Sequence, residues 1–306
     1  MGGSAHSLPL PEAERVLESL RVLAGKPLDA EFRPTDAWGR PGGLLELPAG
    51  LRPILVGDLH GSGAHLDAIL PDHHNAEDIA SGSAFLLLLG DALHDDRAGH
   101  LSDPGSSIAL LDQLVELIRA FPGRVAWLLG NHDSFDPELT KLGVSQGLDF
   151  EAGVRDWGGE AMVEALQAFF DSLPLFAIGE GFVATHAGPP AGGADRQSLI
   201  DLAGLPTMRE QLVWNRLSKR RGRHEPFTYE ESDLGMTLEA LGMPAGTHFI
   251  VGHSPRWEEG DGSGFWPNVN GIAGHHILFS GARSKAPWLS FEYGKLIHRN
   301  AIRSLA

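Results

Sequence analysis

Short, unbroken apolar runs recur along this chain, each closed by a glycine and then by a knot of polar residues. They read ILVGDLHG (54–61), AFLLLLGDALHDD (84–96), VAWLLGNHD (125–133), GFVATHAG (181–188) and HFIVGHS (248–254). A run with no polar alternation implies a strand buried on both faces, as in a sheet covered by helices. Helical periodicity lies between them. It predicts a helix from Pro11 to Leu23, one over SSIALLDQLVELIRAF (106–121) with Ser106 or Ser107 as N-cap, and one over EAMVEALQAFFDSL (160–173). Asp91 follows Asp58 by 33 residues and Asn131 follows Asp91 by 40. Both intervals hold a strand–helix–strand unit, which needs about 30 residues. After His253, HHILFSGA and PWLSFEYGKLIHR read as closing strands. The pattern gives an α/β fold: a helix and a Pro/Gly-rich connector over 1–50 packed on a main domain over 51–306, with a cap or insert at about 134–180.

The polar tips need an explanation, because a buried strand gains nothing from ending in Asp, Asn or His. In open α/β sheets the carboxyl ends of the strands converge on one edge, where ligands bind. Asp58, His60, Asp91, Asn131, His132, His186 and His253 would meet there. The flanking glycines allow sharp turns and leave room for another group. Any one of these residues alone would be read as a cap or a loop polar. Together, four imidazoles, two carboxylates and an amide oxygen exceed what one metal takes, and they suit two metals sharing a carboxylate. The chain has no cysteine, so thiolate sites and disulfides are excluded. The pairs His73-His74 and His275-His276 chelate poorly, since adjacent side chains diverge; they are expected at the surface. Trp127 is expected in the core, and Trp157 in a cap over the site.

Charge narrows the partners. The formal net charge is −16, which repels nucleic acid unless a basic face is segregated. WNRLSKRRGRHEP, with Arg216 and Arg223, is the one basic run; it reads either as a solvated helix end or as a phosphate-facing segment. The first residues lack a basic n-region and an apolar h-region, and the longest apolar run is too short to span a bilayer. A cytoplasmic protein without nucleic-acid or membrane partners is the expectation.

The motifs GDLHG, GD(x)3DD, GNHD, THAG and VGHS, in that order between Ile54 and Glu292, resemble those of the calcineurin-like metallophosphoesterases. More narrowly they resemble the phosphoprotein phosphatase family and its bacterial members. The resemblance implies a two-sheet calcineurin-like sandwich flanked by helices, and a dinuclear centre of Mn, Fe or Zn whose bridging hydroxide attacks phosphorus. Asp58 and His60 would bind the first metal, Asp91 would bridge, and Asn131, His186 and His253 would bind the second. His132 would be the general acid. Pro255 stands where the wider superfamily often has a final histidine, which favours the phosphatase branch. The second motif departs from the family: His94 occupies the place of the aspartate that orients the general acid, and the arginine that follows, Arg97, comes two places late. Asp95, or else Asp96, would then orient His132 if the loop bulges; His94 itself, or no orienter, is the alternative. For phosphate, RHEPFTY can be laid over a family arginine, so Arg223 is nominated first, then Arg216 and Arg97.

The implied function is a metal-dependent phosphatase acting on phosphoprotein Ser/Thr or Tyr, or on small phosphoesters. Dinucleoside-polyphosphate hydrolysis is the second reading, disfavoured because those relatives often carry Gln where His60 stands. The third is an inactive phosphatase-like binding module, supported by the altered second motif and opposed by the complete ligand set.

Overall fold

The computed structural model describes residues 10–302 apart from 98, 219–224, 259–261 and 283–284. Two β-sheets stack face to face, and helices cover the outer face of each. The first sheet has the order Lys295–Ile302, Lys285–Glu292, Arg52–Val56, Ala84–Leu88, Val125–Trp127. Its last three strands are parallel, and the C-terminal hairpin joins antiparallel. The second has the order Leu44–Glu46, Phe176–Gly179, Phe182–Thr185, His248–Val251, His275–Leu278, Phe265–Trp266. Here Phe182–Thr185, His248–Val251 and His275–Leu278 are mutually parallel.

Strand alternation explains the unbroken apolar runs. Leu55, Phe85 and Leu87 point into the layer between the sheets, where they meet Ala184, Ile250 and Leu278. Their neighbours Ile54, Val56, Leu86 and Leu88 point outward, into a core shared with Ala13–Gly25, Gly105–Ala120 and Glu160–Ser172. On the second sheet, Val183, Phe249 and Ile277 face outward against Leu199, Leu212 and Leu234. Both sides of these strands are covered, so neither side can be polar.

Several expectations change on folding. The connector is not merely packed on the main domain, because its segment Leu44–Glu46 is the edge strand of the second sheet, paired in parallel with Phe176–Gly179. The helix expected from Ser106 is Gly105–Ala120 and has no serine cap. Ser107 Oγ instead accepts from His94 N at 2.9 Å, and Ser106 Oγ donates to Asp95 at 3.1 Å. Trp127 is buried as expected. Trp157 does not line a cap over the strand tips; its indole donates to the Pro11 carbonyl at 2.9 Å within the outer helical layer. His275 and His276 are buried, not on the surface. Adjacent strand residues face opposite sides, and both sides here are covered: His275 Nε2 meets the Tyr229 hydroxyl at 2.9 Å, while His276 Nε2 meets His248 Nδ1 at 2.7 Å.

Leu87 is fully buried between the sheets, so Leu87→Ala should cost about 3 kcal/mol of stability. Urea unfolding should show a lower midpoint with an unchanged slope.

Candidate metal centre

The five polar tips leave the carboxyl ends of Arg52–Val56, Ala84–Leu88, Val125–Trp127, Phe182–Thr185 and His248–Val251 and converge at one edge of the sandwich. The turns that deliver them are strained. His60 (φ 46°), Asp91 (φ 50°) and His253 (φ 61°) all sit in the left-handed region, which side-chain-bearing residues avoid and which gathers at functional sites. Two glycines are obligatory for packing. A Cβ on Gly130 would lie 2.3 Å from Asp91 N and Oδ1, and one on Gly252 would lie 2.1 Å from Asp58 Oδ1.

A residue to which the motif reading gave no role holds this arrangement. Asp133 is fully buried and accepts from the backbone N–H of Asp91 (2.8 Å), Ala92 (3.0 Å), Leu93 (3.2 Å) and Gly130 (3.0 Å), and from Trp127 Nε1 (3.0 Å). One carboxylate thus welds the second motif to the third. The available signal was a carboxylate following a buried apolar run, which must find several donors there.

All six expected ligands come together, five of them in two triplets that share Asp91 and Asn131 beside the second. Asp58, His60 and Asp91 form one, and Asp91, His186 and His253 the other; within each, one ligand atom per residue lies within 4.8 Å of the others. His60 Nε2 stands 3.9 Å from Asp58 Oδ2 and 3.8 Å from Asp91 Oδ2, and His186 Nε2 stands 3.3 Å from Asp91 Oδ2. Asn131 Oδ1 touches the second triplet, 3.0 Å from His186 Nε2 and 2.8 Å from His253 Nδ1. The far ring nitrogens are oriented by carbonyls: His60 Nδ1 donates to His94 O (3.0 Å) and His186 Nδ1 to Leu89 O (2.9 Å). That leaves each Nε2 free to ligate, the usual arrangement of a metal-binding histidine.

The remaining candidates separate. The His132 backbone N–H donates to Asp91 Oδ1 at 2.7 Å, and the His132 ring stands edge-on to His60 (4.9 Å) and to His94 (5.4 Å). Asp95 is not brought to His132. Its carboxylate is taken by Arg97, whose Nε lies 2.8 and 3.0 Å from the two oxygens, and by Ser106. Burial would raise the Asp95 pKa, but hydrogen bonds from Arg97 hold it below the usual carboxylate range. The two residues expected to orient the acid and bind phosphate therefore satisfy each other. Asp96 pairs instead with Lys141 at 3.4 Å. Apart from His60, the ring that faces His132 is that of His94, whose two ring nitrogens are buried without a hydrogen bond. Arg216 extends beside the cluster, its Nη1 3.2 Å from Ser254 Oγ. Desolvation lowers its pKa from the ordinary value, and the Asp91 and Asp58 carboxylates pull the other way. Arg223 lies outside the described residues.

The family model for calcineurin-like phosphoesterases matches residues 51–281. The chain belongs to that family. No curated protein matched the sequence. Among solved structures, this phosphoesterase is similar to a protein serine/threonine phosphatase from Saccharomyces cerevisiae, itself described as similar to the human phosphatase PP5. The TM-score is 0.70 at 15% identity, over 98% of this chain and 91% of that one. It is also similar to a cold-active protein-tyrosine phosphatase of a psychrophilic Shewanella species, with a TM-score of 0.50 at 13% identity, over 84% of this chain and 82% of the other. At such identities these likenesses establish the shared fold.

The electrostatics of the phosphoesterase site fit bound cations. Burial pushes Asp58 up to about 7, with His186 opposing and Asp91 adding to the rise. Burial acts the same way on Asp91, but His186 and His132 overcome it and hold that carboxylate well below the usual range. Burial disfavours the His186 cation, yet Asp91 pushes the ring up to about 9. The cluster thus balances its charge by shifting protons among its own members, a role divalent cations fill directly. His253 is kept neutral by burial, and the nitrogen it turns to the cluster is Nδ1, 2.8 Å from Asn131 Oδ1; a neutral imidazole is a ready ligand. Two carboxylates, three imidazoles and an amide oxygen form a donor set that fits divalent metal ions. Among the described residues, no helix is long and apolar enough to cross a membrane.

Binding should show as stability. At free cation a hundred times Kd the folded state gains about 2.7 kcal/mol, so adding manganese to chelator-stripped protein should raise Tm by roughly 5–10 °C. Asp91→Asn should abolish most of that rise, whereas His253→Ala should leave about half the bound metal by elemental analysis. Asp133→Ala, which orphans five donors, should lower unfolding free energy by about 3 kcal/mol or more.

Proposed function

We propose that this phosphoesterase is a phosphatase that hydrolyses phosphomonoesters at a two-cation centre, acting on phosphorylated protein or on small phosphoesters. The observation that carries the reading is Asp91 standing in both ligand triplets: a carboxylate common to two sites keeps two cations close enough to act on one phosphoryl group. Such cations supply Lewis-acid charge to the phosphoryl oxygens and lower the pKa of a water molecule between them.

The chain's own residues would do the rest. Asp58, His60, Asp91, Asn131, His186 and His253 hold and space the charge. Arg216, the cation beside Asp58 and Asp91, would take the phosphate oxygens that the centre leaves uncovered, since a guanidinium matches phosphate geometry. His132 would deliver the proton to the departing ester oxygen from the side opposite the attack. Burial holds its pKa well below that of an ordinary histidine, with Asp91 opposing. A dianionic phosphate entering beside the ring favours the imidazolium, so the acid would be charged by the arrival of substrate. His94 would fix the tilt of the His132 ring through the edge contact, the task given in the sequence reading to Asp95.

His132→Asn should slow phosphoserine-type substrates by roughly 10²–10⁴-fold yet slow p-nitrophenyl phosphate much less, because nitrophenolate leaves without a proton. Equal losses on both substrates would remove His132 from the acid role. His94→Asn should reproduce the selectivity in weaker form, and Asp95→Asn should not. Asp91→Asn should remove most turnover on both substrates without unfolding the chain, as read by circular dichroism.

A further inference from the structure

A cavity of about 370 Å³ is walled by Arg216, Ser254, Pro255, Arg256, Trp257 and Glu258. Two of its walls lead on to the ligand cluster. On one wall, Ser254 follows the ligand His253 directly in the chain and Arg216 Nη1 reaches its hydroxyl. On the other, the Trp257 indole stands edge-on to Phe279 with ring centres 5.2 Å apart, and Phe279 rests on the His60 ring at 5.4 Å. A second ring, Trp266, holds the indole from the side at 5.1 Å. Phe279 and Trp266 are buried, whereas Trp257 is 40% exposed. Its open surface is therefore fixed in place by two buried rings, one of them seated on a metal-ligand histidine. A rigid aromatic surface of this kind gains contact area with little loss of conformational freedom. Arg256 adds positive charge to the same wall, its Nη1 donating to Asn270 Oδ1 at 2.9 Å.

We infer that this cavity is the leaving-group subsite and that the preferred substrates are aryl phosphomonoesters, in which the ester oxygen is attached directly to a flat ring as in phosphotyrosine. The inference rests on the phosphatase reading above. The phosphate would face Asp58, Asp91 and Arg216, and the ring would lie over Trp257, one buried aromatic step from His60. A seryl or threonyl ester brings only an aliphatic carbon to that place and leaves the indole uncovered. In the reaction, water oxygen bonds to phosphorus, the bond from phosphorus to the aryl oxygen breaks, and the phenolic oxygen departs with its electron pair and gains a proton.

The test separates binding from turnover. Full-length, manganese-loaded protein is titrated calorimetrically with phenylphosphonate and with methylphosphonate, neither of which it can hydrolyse. The wild type should bind the phenyl compound roughly 5–10-fold more tightly, the size of one aromatic stacking contact. Trp257→Ala should bring that ratio close to one, and Trp257→Phe should keep most of it; thermal melts matching wild type guard against a folding defect. In turnover, kcat/KM for a phosphotyrosine peptide relative to the phosphoserine peptide should fall in the same proportion in Trp257→Ala. Equal binding of the two phosphonates by wild type, or an undiminished ratio in Trp257→Ala, overturns the subsite. Tighter binding of adenosine 5′-monophosphate than of phenylphosphonate also overturns it, because there a ribose separates ring from phosphate. A phenyl preference in a protein that cleaves no phosphoester would uphold the subsite and remove the phosphatase reading; turnover without any aryl preference would do the reverse.

Discussion

The position of the Asp91 carboxylate is the constraint on which the rest of this structure depends. It belongs to both ligand triplets, so an error in its placement would disturb both clusters. The chain fixes it from three directions. Its backbone is held by Asp133, its Oδ1 by the His132 N–H, and its turn by close contact with a residue that must be glycine, Gly130. A left-handed residue at this point would be unfavourable by about 1–3 kcal/mol in isolation. Here the Asp133 hydrogen bonds and the surrounding sandwich over-determine it.

The Asp133 carboxylate links packing to chemistry. Asp133 also accepts from the Trp127 indole, and Trp127 lies in the core beneath the outer helices. The third strand, its buried tryptophan and the two motif loops are thus joined through one buried anion. Breaking that node would loosen the site and the core together, unlike removal of a surface ion pair such as Arg155–Glu160, which contributes little.

Around this fixed point the walls of the cleft are of two kinds. Arg216 offers charge that responds to Asp58 and Asp91, whereas Trp257 offers an apolar face tied back to His60 through Phe279. The chain as a whole is strongly acidic, so positive charge inside the cleft marks where an anionic substrate would be drawn.

By itself the sequence was enough for an α/β fold of buried strands and for the six strand-tip groups that converge, whereas the two-sheet arrangement was implied only by the family resemblance. Both depend on local features: unbroken apolar runs can only be strands covered on both sides, and each cluster is carried at the end of its own strand beside its own glycine. Tertiary structure decided what depends on which neighbour arrives first. Asp95 had the right chemistry to orient His132, but Arg97, two residues away, captures it, and the loop spacing that suggested Asp95 could not reveal that capture. His275 and His276 looked like surface polars because their burial depends on Tyr229 and His248, 46 and 28 residues distant. Asp133 was given no role in the motif reading, yet its five donors are four backbone N–H groups of two loops and one indole of a strand, brought together only by the sheet. Trp257 carried no motif at all. Its meaning lies in rings that meet it edge-on from elsewhere in the chain, and such contacts leave no period or spacing to read.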